Sequence, residues 1–238
     1  MIKVQKLHYE VRRQLNRINT EWDTNIDTVD IDGYLNQAKE ILLENYGAIV
    51  EKNKTISNRL RSIEIKNKKL DKLSSTHNKA YTFELPKDHY FTLNKYAIGK
   101  SKFCDKSNQL FVHNVQTHKI EEALRDPKWQ PSLQWRETFS NEDSKGINIY
   151  HNDVLIIDEV YIDYIRWIPD VANVSSAAGT YITADGETPT EDKHLMIDDP
   201  ILWRKITDIA IFLIKRDFNA SFKENIESIL FNEKIQTN

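Results

Sequence analysis

Apolar residues recur every three or four positions through the first quarter of the chain, alternate with polar ones in its middle, and return to helical spacing near its end. Val4, Leu7, Val11, Leu15 and Ile18 fall on one stripe and predict an amphipathic helix over 3–20. A polar stretch at 20–29 breaks the pattern, and Asp30 is placed to cap a second helix. Ile31, Tyr34, Leu35, Ala38, Ile41, Leu42, Ile49, Ile56, Leu60 and Ile63 keep the helical period. The pattern therefore predicts one long helix or two collinear ones over 30–72, weakened at Gly47 by about 1 kcal/mol relative to alanine. A helix of that length would extend about 60 Å and would need a bundle or a neighbouring subunit to pack against.

The period changes after Ser74-Ser75-Thr76. Short runs at 81–86, 90–98, 109–115, 132–139 and 146–150 alternate aromatic or β-branched residues with polar ones and predict strands. A short helix is expected at 117–125, stopped by Asp126-Pro127. The longest apolar run is 154–168. Strict alternation puts Ile156, Val160, Ile162 and Ile168 on one face and Leu155, Ile157, Tyr161, Ile165 and Trp167 on the other, as expected of a central strand covered on both sides. A polar loop of nearly thirty residues follows. Asp198 or Asp199 then caps a helix whose first position suits Pro200, with Leu202, Ile206, Ile209, Ala210, Leu213 and Ile214 on its apolar face. A last helix is expected at 220–232, with Phe222, Ile226, Ile229 and Leu230 inward.

Strands clustered between helices argue for an α+β class. The expected architecture is a helical bundle built from the N- and C-terminal helices, with an inserted antiparallel β-sandwich-like domain. Its parts are a helical region at 1–76, a β-rich domain at 77–170, an extended arm at 171–197, and C-terminal helices at 198–238 that pack on the N-terminal part.

Composition narrows the class. With 39% hydrophobic and 29% charged residues among 238, the chain is globular but polar and long enough to bury a sizeable core. No run of eighteen apolar residues predicts a membrane span. The start, Met1-Ile2-Lys3-Val4, has no apolar core of a secretory signal. One cysteine, Cys104, excludes an internal disulfide framework and a cysteine zinc cluster, which suits a reducing cytoplasm. The net charge of −3 hides an asymmetry. Residues 51–80 carry nine Lys/Arg against three Asp/Glu, and residues 137–199 carry fourteen Asp/Glu against three Lys/Arg. Complementary stretches of this kind can orient one subunit against the next, although they can equally be two solvated faces.

Candidate chemistry is sparse. The seven histidines, at 8, 77, 89, 113, 118, 151 and 194, show no metalloprotease-type spacing. Asp158, Glu159 and Asp163 could supply paired carboxylates for a metal, but an ion pair with Arg166 or with a neighbouring chain is the simpler expectation. There is no phosphate-binding glycine loop and no nucleophile elbow. Cys104 lies among Lys102, Asp105 and Lys106 without a defined base. The basic stretch 52–72 could contact nucleic-acid phosphates as an amphipathic helix, which makes a nucleic-acid-binding protein the alternative reading.

The order of these signals carries a resemblance. Leu85-Pro86-Lys87-Asp88-His89-Tyr90, Asp126-Pro127-Lys128-Trp129-Gln130-Pro131-Ser132, Tyr161-Ile162-Asp163-Tyr164-Ile165-Arg166-Trp167-Ile168-Pro169 and the closing Ile206-Thr207-Asp208-Ile209-Ala210 follow one another across most of residues 30–215. The arrangement resembles the head-to-tail connector proteins (adaptor or tail-tubular rings) of short-tailed phages, in particular crAss-like phages. That resemblance implies a homo-oligomeric ring of about twelve copies beneath a portal, in contact with other connector and tail proteins. Phage DNA would pass through its lumen without sequence-specific binding. It implies a virion protein made in the bacterial host cytoplasm, with no enzymatic activity, no cofactor and no membrane. On this reading Lys66, Lys68, Lys69, Arg166, Trp167, Tyr181, Asp185 and Glu187 are the expected subunit-interface residues.

Overall fold

The computed structural model describes residues 1–18, 26–49, 60–73, 79–126, 130–144, 146–152, 154–176, 181–182 and 188–218. The chain divides into two compact units, Met1–Ile63 with Ile168–Asn238, and Glu64–Trp167.

The first unit is helical. Helix α1, Val4–Ile18, buries the stripe Val4, Leu7, Val11 and Leu15. Helix α2, Thr28–Ile49, buries Ile31, Leu35, Ala38 and Leu42. The C-terminal helix, Pro200–Phe218, packs mainly against α2 and less against α1. Its start follows from its first turn, where the Asp199 carboxylate accepts the amides of Ile201 at 2.7 Å and Leu202 at 3.1 Å. These are orphan donors that a cap satisfies. The expected helix at 220–232 lies outside the described residues.

The second unit contains the eight strands of the described residues: β1 Glu64–Lys69, β2 Asp71–Lys72, β3 Ala80–Glu84, β4 His89–Ser101, β5 Cys104–Asn114, β6 Glu137–Asp143, β7 Gly146–Tyr150 and β8 Leu155–Arg166. They form one sheet in the order β1-β8-β4-β5-β6-β7-β3-β2. Its two outermost strands are consecutive in the chain, separated by Leu70 alone. The Leu70 amide donates to Val160 O (2.9 Å) and extends the β1–β8 ladder, while the Leu73 amide donates to Thr82 O (2.8 Å) beyond β2–β3. One short segment thus serves both ends of the sheet and brings it close to a closed barrel. Leu70, Phe83, Ala97, Leu110, Ile147, Ile149, Ile157, Val160 and Ile162 fill the interior. A short helix, Ile120–Arg125 (α3; the C-terminal helix is α4), covers the outside of one wall with Ile120 and Ala123 against Ala80, Phe139 and Tyr150.

Two expectations are corrected. The described residues hold four α-helices and a single eight-stranded mixed sheet, so the chain is not a helical bundle carrying an antiparallel sandwich. β5 and β6 run parallel, and no second sheet packs on the first among the described residues. The cause lies in 64–72, expected as the end of a long helix. These residues are strand, and as strand they join the two ends of the sheet. Isolated helical spacing at Ile56, Leu60 and Ile63 misled because Asn67 adopts φ 52° and interrupts the strand alternation with an irregular register between Ile65 and Lys68. Residues 50–59 lie outside the described ones.

The second correction concerns the 154–168 run. β8 pairs Ile98 with Glu159 but Gly99 with Ile157, so Asp158 is an extra residue. A bulge shifts the phase of alternation by one. Leu155 and Ile157 therefore join Val160, Ile162 and Tyr164 on the inward face, and Tyr161 and Asp163 point outward.

Candidate assembly surface

The wall of the barrel opposite α3 is formed by β5, β4, β8 and β1. Across it runs a row set by register: Phe111 opposite Tyr96, Tyr96 opposite Tyr161, and Tyr161 opposite Lys69. Tyr96 and Tyr161 are half-buried and stacked, with ring centroids 5.1 Å apart and 10° between planes. Phe111 is 64% exposed. The row ends in charge. Glu159 accepts from Lys69 and, at 2.8 Å, from the Tyr161 hydroxyl. Those two hydrogen bonds hold the Glu159 carboxyl below its usual range, and Glu159 in turn raises Lys69 and Tyr161. One step along the strands, Gln109 and Ile98 continue the face; another step on, Ser107, Lys100 and Ile156 do so. Lys100 lies 4.0 Å from Asp158. The surface is thus an aromatic centre bordered by ion pairs.

The three carboxylates singled out in the sequence do not form a site. Asp158 sits in the bulge near Lys100, Glu159 belongs to Lys69 and Tyr161, and Asp163 accepts the Asn67 amide at 2.7 Å. No three His, Cys, Asp or Glu side chains converge as metal ligands among the described residues. Lys100 and Lys69, and not the expected Arg166, stand beside Asp158 and Glu159.

Of the expected interface residues, Lys69 belongs to the aromatic row. Lys66 is exposed, 3.4 Å from Glu64, and Lys68 is exposed on the same strand. Arg166 is half-buried at the end of β8. Trp167 is 41% exposed, with its ring 5.2 Å from Tyr90. Tyr181 is turned inward: its hydroxyl donates to Asp32 at 2.7 Å, and burial followed by this bond raises its pKa. Asp185 and Glu187 lie outside the described residues. The row residues Phe111, Tyr96 and Tyr161 were missed. All three were legible as aromatic residues of expected strands, but register across strands distant in sequence cannot be read from one chain.

Two buried polar groups complete the picture. In the helical unit, Asp32 also binds His8 Nε2 (2.7 Å) and the Asn173 amide (2.8 Å), and Lys39 Nζ reaches Ile168 O (2.9 Å) and Asp170. These bonds fasten the segment after β8 to α2. In the barrel, Lys95 lies opposite Ile162 and hence on the inward face, 3.2 Å from Glu142 and 3.4 Å from Asn114. Burial lowers the Lys95 pKa while Glu142 counteracts it. In both sets the buried polar groups meet hydrogen-bond partners, as buried polar groups must. No protein-family model matches the chain, and no curated protein matches it.

Proposed function

We propose that this chain is a non-enzymatic assembly protein, a ring subunit of the head-to-tail connector of a short-tailed phage, through which DNA passes without sequence-specific contact. The observation that carries the assembly part is the row Phe111–Tyr96–Tyr161, ending in the Lys69–Glu159 pair. Aromatic residues concentrate at the centres of protein interfaces, and exposed apolar patches rimmed by polar groups mark interaction sites. The connector part rests on the motif resemblance along 85–90, 126–132, 161–169 and 206–210. The charges that border the row, Lys69 with Glu159 and Lys100 with Asp158, are paired within the subunit, which lowers the cost of covering them.

Native mass spectrometry of the chain alone and with a portal protein tests the reading. A ring in either sample is expected, and Tyr96→Ala with Tyr161→Ala should abolish it while leaving the monomer folded. A strict monomer in both samples overturns the proposal.

A further inference from the structure

The helical unit carries cations that its own carboxylates leave free. Helix α1 buries Val4, Leu7, Val11 and Leu15, and its opposite side presents Lys3, Lys6, Tyr9 and Arg13, all exposed and three or four residues apart. Lys3 stands just before the helix, where its carbonyl accepts the amides of Lys6 at 3.0 Å and Leu7 at 3.4 Å. From Lys3 to Arg13 the row extends about 15 Å. Arg204 of α4 joins it beside Lys6. The Lys6 ammonium lies 5.0 Å from the centre of the Trp203 ring, and the Arg204 guanidinium lies 5.6 Å from it, so two cations gather at one buried ring. The carboxylates near the row are engaged elsewhere: Glu10 with Arg13 at 2.5 Å, Asp192 with Ser175 and Gln5, and Asp208 with Gln14 at 3.5 Å. Among the described residues, no carboxylate forms an ion pair with Lys3, Lys6 or Arg204. The row also runs against the helix dipole. The first turn of α1 has no acidic residue, whereas a helix N-terminus favours anions and disfavours Lys3 and Lys6. A local rule broken without an internal partner points to an external one.

We infer that this face binds the phosphate backbone of nucleic acid, whatever the base sequence. Lys3, Lys6 and Arg204 contact phosphates, and Tyr9, 64% exposed between Lys6 and Arg13, offers its hydroxyl to the same backbone. The face selects that partner over two others that attract cations. A basic amphipathic helix lies on a bilayer through its apolar side, and here that side is the buried core of the unit. A protein interface needs an apolar centre within its polar rim, and Trp203, at the centre of the cation group, is buried. A duplex asks only for cations, because it presents one negative charge per about 1.7 Å of its axis. Phosphate contacts position a protein on nucleic acid and carry no sequence information. The contact belongs to the helical unit of a single chain, so it does not rest on the connector reading.

Fluorescence anisotropy of the full chain with two short labelled duplexes of unrelated sequence tests the contact over a range of salt. Both duplexes should bind equally, with Kd of about 10⁻⁴–10⁻⁶ M, and the logarithm of the binding constant should fall with the logarithm of salt by about 0.9 per phosphate contacted. Lys6→Gln with Arg204→Gln should reduce that slope by about 2 and weaken both duplexes alike. Lys6→Arg with Arg204→Lys keeps both charges and should keep the slope, which separates charge from packing on Trp203. Absence of binding at low salt, an unchanged slope in the glutamine variant, or an equal loss in the charge-conserving variant overturns the inference. Poly-glutamate or phosphatidylserine vesicles binding as tightly as the duplexes would overturn nucleic acid as the partner. Ring formation with a portal is scored separately, so either reading can fail alone.

Discussion

Tyr161 of β8 lies flat on Tyr96 of β4, the two rings stacked at 5.1 Å across a register pair, with Phe111 continuing the row on β5. Neither tyrosine belongs to the barrel interior, so the pair is available to a partner without unfolding the subunit. Replacing both by alanine should leave the far-ultraviolet circular dichroism and melting temperature close to wild type and remove higher oligomers from native mass spectra. Retention of those oligomers would dissociate the row from assembly.

Gly146 opens β7 at φ 146°, and a Cβ there would stand 2.1 Å from Phe83 O. Gly146→Ala should cost about 1–3 kcal/mol from the backbone alone, with the clash added. Gly99, beside the β8 bulge, would bring a Cβ to 2.9 Å from Ile156 O and from a Leu110 methyl. Urea midpoints should therefore fall for both variants and further for Gly146→Ala.

Asp32 is the hub of the helical unit's buried polar group, with His8, Tyr181 and the Asn173 amide on its two oxygens. Removing Asp32 leaves three buried partners without their acceptor, each at about 1–3 kcal/mol, so Asp32→Ala should destabilise more than the loss of any one bond. Tyr181→Phe deletes one bond to a carboxylate, at a cost of about 1.5–3 kcal/mol. Equilibrium denaturation of the two variants checks the ranking; equal losses would mean that Tyr181 carries the whole network.

Tyr164 gives the fold an alkaline limit. Burial, and then its hydrogen bond to Asp88 at 2.9 Å, push its pKa up to about 12, against about 10 in an unfolded chain. A raised folded pKa means that the native state holds the proton longer. The resulting stability is complete below about pH 10 and is lost as pH rises from about 10 through 12. Burial and Asp32 raise Tyr181 in the same sense. Tyr164→Phe should flatten the fall of the urea midpoint in that window; an unchanged slope would show that Tyr164 does not set it.

Helices whose apolar stripe meets a partner helix were legible in the sequence. Val4, Leu7, Val11 and Leu15 are all buried, and the Asp199 cap and Pro200 start of α4 stand where expected. The strands at 80–84 and 146–150 also stand close to their expected positions. What failed was decided by pairing. A single Asp158 bulge reassigned the two faces of β8, and Asn67 at positive φ hid a strand inside a helical-looking run. The aromatic row failed to appear for the same reason. Phe111, Tyr96, Tyr161 and Lys69 come from four strands, and only the ladder brings them together.

The way β1 pairs with β8 has a consequence for how the barrel forms. Glu64 stands opposite Ile165, so the first and last strands of the β unit are neighbours. The barrel cannot begin to close during synthesis until nearly all of its residues have left the ribosome, and such long-range closure is slow. The same adjacency places the entry and exit of the segment side by side. Residues 64–167 can therefore be excised, or given new termini at the β4–β5 turn, without stretching any connection.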